Sequence, residues 1–263
     1  MTPEVRYHML RPAQIVARRQ ACPVVYIPIG TIEWHGVHNP VGADTLQAEG
    51  LALMCAQQGG GLVFPPLYYG ENRLEALMEA NARDRDQIAA GMSLSPDNFT
   101  AERQPFSATE QALNYHKLLL HILVEAETLG FELGVLVAGH YPLIDHARAA
   151  ISVFHQYKHR LGMIPWAFTG WELVQDLFPD AGDHAGYWET SLLLALDPGL
   201  TDLSELPEDP NAPLVGVGSN GPVHESNPEF GERAVAAIVA RVGEQVRHRL
   251  EDPDQYRRHG LRL

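Results

Sequence analysis

Apolar positions fall along the chain in short runs separated by amphipathic stretches. Residues 23–29 (PVVYIPI) are an unbroken apolar run ending at Gly30, and its length and Val/Ile content predict a buried strand. Residues 44–57 then read as a helix, with Asp44 and Gln47 at capping-box spacing and Gly59 to Gly61 closing it. Residues 62–69 (LVFPPLYY) predict a second strand, interrupted by prolines. Ser107 and Glu110 form another capping-box pattern before a long helix whose apolar positions include Leu113, Leu119, Leu120 and Leu123 and which stops at Gly130. A third strand is predicted over 132–138, then a helix from Pro142 to about Arg160, and a fourth strand over 163–168. A helix from about Gly186 ends at Asp197-Pro198. A last amphipathic helix runs from near Pro228 to about Leu250, with Val235, Ile238, Val239, Val242 and Val246 on one face.

Fully apolar strands alternating with helices imply an α/β chain, a three-layer arrangement with a central, mainly parallel sheet and helices on both faces. The chain shows neither an internal repeat nor a linker rich enough to divide it, so residues 1–263 read as a single domain. The segment 71–107, polar and carrying Arg73, Arg83, Asp84, Arg85 and Asp86, differs in texture and reads as an insertion over the sheet edge, a lid or an oligomer contact. Residues 201–227, rich in Pro, Asp, Gly and Asn, read as a long loop.

Composition narrows the class of partner. The net charge of −14 comes without a basic stripe, which opposes binding to nucleic acid or anionic membranes. No apolar run reaches the roughly 18 residues that span a bilayer, and the N-terminal MTPEVRYHMLRP has no signal-like apolar region. Two cysteines, Cys22 and Cys55, carry no spacing pattern. These features together predict a cytoplasmic protein in a reducing compartment.

The 13 histidines matter by position. Glu33 and His35 follow the first strand and, two apart, project to one side of an extended chain. Asp44 begins the next helix, and His140 follows the third strand directly after Gly139. Sites in open α/β sheets form at the carboxyl ends of strands. Carboxylate and imidazole without thiolate suit Zn²⁺, Mn²⁺ or Fe²⁺. Each residue alone has a plainer reading: Asp44 as a helix cap, Glu33 as a surface acid, His35 and His140 as structural histidines. A second cluster, Asp183-His184-Ala-Gly186-Tyr-Trp-Glu189-Thr190-Ser191, opens an apolar helix. It reads either as capping or as a ligand, Glu189, beside a proton-transfer histidine, His184. Asp183 or a backbone carbonyl would orient that histidine, and His38 is a second candidate for proton transfer. No Gly-x-Ser-x-Gly elbow and no phosphate-binding loop is present.

These three stretches, Gly30-x-x-Glu33-x-His35-Gly36-x-His38-x-Pro40-x-x-x-Asp44, then Gly139-His140, then His184-Ala185-Gly186-x-x-Glu189-Thr190-Ser191, resemble in order and spacing the creatininase (creatinine amidohydrolase) family, from about residue 24 to 240. The resemblance implies an α/β fold with a central parallel sheet, one or two divalent ions per chain, and hydrolysis of C–N bonds by metal-activated water attacking the carbonyl of a cyclic amide or related small molecule. It implies Glu33, His35, Asp44 and His140 as metal ligands, with Asp44 as the bridge, and a homo-oligomer, frequently a hexamer.

The chain also departs from that pattern. Creatinine-hydrolysing members have Asn-Gly-His-Tyr-Glu-Asn where this chain has Ala138-Gly139-His140-Tyr141-Pro142-Leu143. Pro142 thus stands in place of a ligating glutamate, which nominates Glu189 as the replacement ligand and argues against creatinine as substrate. Segment 71–107 replaces a shorter stretch of the family, so the walls of the pocket differ. Two other readings stay open on the sequence: ring-opening C–C hydrolysis of a cyclic polyol ketone of the inosose type, and a catalytically silent metal-binding scaffold.

Overall fold

The computed structural model describes residues 4–70, 83–156 and 160–257. Arg73, with the first part of the segment read as an insertion, and residues 157–159 of the helix expected to reach about Arg160 lie outside the described residues.

The described elements are α1 (Pro12–Ala21), β1 (Val24–Ile29), α2 (Ala43–Gly59), β2 (Leu62–Val63), α3 (Arg85–Gly91), α4 (Ala108–Thr128), β3 (Leu133–Ala138), α5 (Leu143–Gln156), β4 (Ile164–Phe168), α6 (Gly170–Val174), α7 (Tyr187–Leu196) and α8 (Pro228–Glu251). The four strands pair in parallel in the order β2-β1-β3-β4. The register of β1 on β3 runs from Val24↔Leu133 to Ile29↔Ala138. Every strand residue is buried, which is why the strands read as continuous apolar runs rather than alternating ones.

Alternate strand residues face opposite layers. Val24, Tyr26, Leu133, Val135, Val137, Ile164, Trp166 and Phe168 join one core with α2, α7 and α8. Val25, Ile27, Ile29, Leu136, Ala138 and Ala167 join the other with α4 and α5. Each fully buried Val, Ile or Leu in these layers contributes on the order of 1.5–3 kcal/mol. The expected three-layer architecture is therefore the observed one.

Local differences from the sequence reading have identifiable causes. The second strand is short: Pro65 and Pro66 follow Val63 and cannot donate to a ladder, and pairing resumes only as a bridge between Ile29 and Leu67. Helix α1 has no buried residue, so it leaves no apolar period to detect. Helix α4 begins as predicted, with Ser107 Oγ accepting from Glu110 N and Glu110 reaching back to Ser107 N at 2.9 Å. Helix α2 does not: Gly42 is its N-cap and Asp44 makes no capping bond, because its carboxylate turns toward histidines. The described part of segment 71–107 packs Ile88, Ala89 and Phe99 onto Trp34, next to Val215.

Candidate metal centre

The strand order places a crevice where the chain needs one. From β1 the chain leaves through α2 on one face to reach β2, while from β3 it leaves through α5 on the other face to reach β4. Loops after the adjacent strands β1 and β3 therefore diverge, opening a cleft at their carboxyl ends. Two glycines let the backbones meet there: a Cβ on Gly139 would overlap the Asp44 carbonyl, and one on Gly30 would overlap Thr45. This close approach sets His140, after β3, against Asp44 at the start of α2.

The donors then gather. Asp44 Oδ1 lies 3.1 Å from His35 Nε2, and Asp44 Oδ2 lies 3.1 Å from His140 Nδ1. Glu33 Oε2 also lies 3.1 Å from His140 Nδ1, and Glu189 Oε2 lies 3.6 Å from His35 Nε2. Among the described residues, Glu33–Asp44–His140, His35–Asp44–Glu189 and Glu33–His35–His184 each bring one donor atom per residue within 4.8 Å of the others and could hold a metal ion. Donors bonded to one ion at about 2.0–2.2 Å stand about 3.0–3.5 Å apart at tetrahedral or octahedral angles, close to the separations observed. Asp44 Oδ2 is buried and forms no aligned hydrogen bond despite its short approach to His140. His35 Nδ1–H donates to the Glu33 carbonyl at 3.0 Å, so the neutral tautomer turns the Nε2 lone pair to the carboxylates.

The electrostatics also call for a cation. Burial opposes charge on His35, yet Asp44, Glu189 and Glu33 raise it to about 10. Burial likewise opposes charge on His140, and Asp44 and Glu33 raise it well above the usual histidine range. Burial pushes Glu33 up, but the hydrogen bond and charge of His140 bring it below the ordinary carboxylate value. Asp44 is held low against its burial by His35 and His140. Burial pushes Glu189 up to about 8, against the pull of His35. Buried carboxylates that raise the proton affinity of the histidines between them favour positive charge at this spot, and a divalent ion would supply it. The donor set fits such an ion.

The remaining sequence candidates sort by what they touch. His184 Nε2–H donates to the Trp34 carbonyl at 3.0 Å, and its backbone pairs with Gly218 in an antiparallel bridge. Burial, then the neighbouring His35, lowers its pKa. Its orientation is thus set by a backbone carbonyl, not by Asp183. Asp183 instead accepts from the amides of Trp188 at 3.0 Å and Glu189 at 3.1 Å, capping the start of α7. His38 belongs to none of the donor groups; its Nε2 meets the Ala185 carbonyl at 3.1 Å. The sequence reading did not assign the role of the Trp34 main chain, whose carbonyl orients His184; the Trp34 indole N–H donates to Val215 O at 2.9 Å. The reading also missed Ala185, a non-glycine residue at φ 54°. Both act through backbone groups, which no residue type announces.

The sequence profile of the creatininase family, described as creatinine amidohydrolase, matches residues 8–246. Creatinine amidohydrolase of Pseudomonas putida is 26% identical over 203 residues, 72% of this chain and 70% of that protein. Mycofactocin precursor peptide peptidase of Mycolicibacterium smegmatis (strain ATCC 700084 / mc(2)155) is 26% identical over 223 residues, 82% of this chain and 71% of that protein. Among solved structures, a mutant creatininase of Zn-Zn type superposes with a TM-score of 0.67 at 22% identity, covering 94% of this chain and 98% of that one. A mutant creatininase complexed with creatine gives a TM-score of 0.68 at 22% identity, over 95% and 100% of the two chains. These structures share the fold, and the family match runs through every residue of the crevice: the chain belongs to the creatininase family of hydrolases.

Proposed function

We propose that this chain is a metal-dependent hydrolase that cleaves a C–N bond in an amide-bearing small molecule. One observation carries the reading: the two oxygens of Asp44 each lie 3.1 Å from a histidine nitrogen belonging to a different donor group. That is the placement of a carboxylate bridging two ions. Glu33 and His140 would hold one ion and His35 and Glu189 the other, with Asp44 within reach of both. Zinc or manganese suits these oxygen and nitrogen donors, and one solved relative is of Zn-Zn type. Divalent ions supply Lewis acidity here, activating water near neutral pH and polarising a carbonyl.

The chain's own residues do the rest. Glu189 takes the place left by Pro142 and balances the charge of the second ion. The bond from His184 Nε2–H to Trp34 fixes the tautomer, so Nδ1 is the proton acceptor. Burial and His35 keep the ring neutral, ready to take a proton and pass it to the departing nitrogen. Asp183 holds the first turn of α7, and with it Glu189, in place. The two relatives named above are an amidohydrolase and a peptidase, which supports an amide substrate. Without the ligating glutamate where Pro142 stands, creatinine itself is not the substrate. The cytoplasmic location rests on the composition and the homo-oligomer on the family resemblance; among the described residues no helix is long and apolar enough to cross a membrane.

Metal content and turnover, measured on the same samples against a panel of amides, lactams, cyclic ketones and creatinine, test these roles. His184→Ala keeps its metal and loses about 10²–10⁴-fold in turnover, while Glu189→Ala loses metal. A metal-free His184→Ala beside a loaded Glu189→Ala reverses the assignment. Turnover only of the cyclic ketone favours C–C hydrolysis, and turnover of nothing favours a silent scaffold.

A further inference from the structure

Resting on the metal-centre reading, we propose that His38 is a positioning residue: it locks Ala185 in a left-handed conformation so that the Ala185 amide clamps Glu189 against His35 and Asp44. Ala185 sits at φ 54°, a conformation that a residue with a Cβ keeps only when its surroundings hold it there. What holds it is on the page. The Ala185 carbonyl accepts from His38 Nε2–H at 3.1 Å and from the Thr190 hydroxyl at 3.3 Å. Asn39 Nδ2 donates to Thr190 Oγ1 at 2.9 Å, and the Thr201 hydroxyl donates to Asn39 Oδ1 at 3.0 Å. On the other side of the same residue, the Ala185 amide donates to Glu189 Oε2 at 2.8 Å. That oxygen is the one facing His35 Nε2.

The chain of contacts therefore joins two parts of the centre that are far apart in sequence. His38 lies on the loop that carries Glu33 and His35, and Ala185 on the turn that presents Glu189. Gly36, at φ 72°, clears the seat for the ring: a Cβ there would come within 2.7 Å of His38. His38 Nδ1 is buried with no hydrogen-bond partner, as befits a neutral ring whose single proton, on Nε2, faces the Ala185 carbonyl at 3.1 Å and Thr190 Oγ1 at 3.2 Å. A histidine so placed has no proton to exchange with a substrate. Its contribution is the direction in which an amide, and through it a carboxylate, points.

The test compares His38→Ala and His38→Gln with wild type in the protein as purified, and repeats His38→Ala in a Glu189→Gln background. Hydrogen exchange at the Ala185 amide reads the clamp without reference to metal; Zn²⁺ affinity reads its consequence. In His38→Ala, exchange at Ala185 accelerates at least about tenfold and Zn²⁺ binds about 10–100-fold more weakly, the scale for partners that orient a ligand. His38→Gln, which keeps an amide donor in place of Nε2–H, stays within about threefold of wild type in affinity and turnover, a rescue that a proton-transfer role forbids. In the Glu189→Gln background His38→Ala adds no further loss of affinity, since both act through one contact. Unchanged exchange and affinity in His38→Ala, an equal loss in the Glu189→Gln background, or a folded His38→Gln as impaired as His38→Ala overturns the proposal. His38→Asn, one bond too short to reach Ala185, replaces His38→Ala should that variant not fold. A wild-type protein that binds no Zn²⁺ while the exchange result holds defeats the metal-centre reading and leaves the clamp standing.

Discussion

His38 resists protonation because of where it is buried. Burial lowers its pKa to about 4, against the pull of the Ala185 carbonyl, while an unfolded histidine titrates near about 6.5. Between those values the unfolded chain binds a proton that the native protein does not. Stability therefore rises with pH across that window and is lost as the pH falls from about 6.5 toward about 4. Urea unfolding of chelator-treated protein shows this as a steeper dependence on pH for wild type than for His38→Gln, by up to about 1.4 kcal/mol per pH unit; equal slopes contradict it. The same residue marks what sequence conveys at this scale. Glu33, His35, Asp44, His140, His184 and Glu189 are legible as candidates because each is a chemically capable side chain at a strand or helix end. Asp44 also looked like a helix cap, and only the crevice shows its carboxylate turned to two histidines instead of the α2 amides. The backbone groups of Trp34 and Ala185, which orient His184 and Glu189, belong to every residue type and leave no trace in the sequence.

Among the elements, those with a mechanism written in their ends were legible. Helix α4 starts where Ser107 and Glu110 say it does, with both reciprocal bonds formed. Ser107→Ala removes that cap at a site exposed to solvent, so thermal or urea unfolding shows a loss of about 0.5–2 kcal/mol, while Zn²⁺ content stays at the wild-type level. A variant as stable as wild type contradicts the capping role. Strands β1, β3 and β4 were legible from their unbroken apolar runs, since both faces are covered. Helix α1 was not, having no buried residue to set a period. The reach of β2 was overread, because an apolar run continues through Pro65 and Pro66 while hydrogen bonding does not. Strand order was beyond the pattern altogether: runs of apolar residues predict parallel strands without saying which lie side by side. That order matters most for function, because the adjacency of β1 and β3 is what brings His140 to Asp44.

At the scale of the whole molecule, a chain with net charge −14 concentrates cations and disfavours anionic ligands, which suits a centre built from three carboxylates and two histidines. Identity to its named relatives is 26%. Pro142 removes one expected ligand, and Glu189, from a different helix, supplies a carboxylate beside His35. The central claim is that Asp44 bridges two divalent ions, and elemental analysis of protein purified without chelator tests it most directly. The account predicts about two ions of zinc or manganese per wild-type chain, and a larger loss in Asp44→Ala than in either His35→Ala or His140→Ala, because one carboxylate serves both ions. Wild-type protein free of divalent metal, or an Asp44→Ala variant that carries as much metal as wild type, contradicts it.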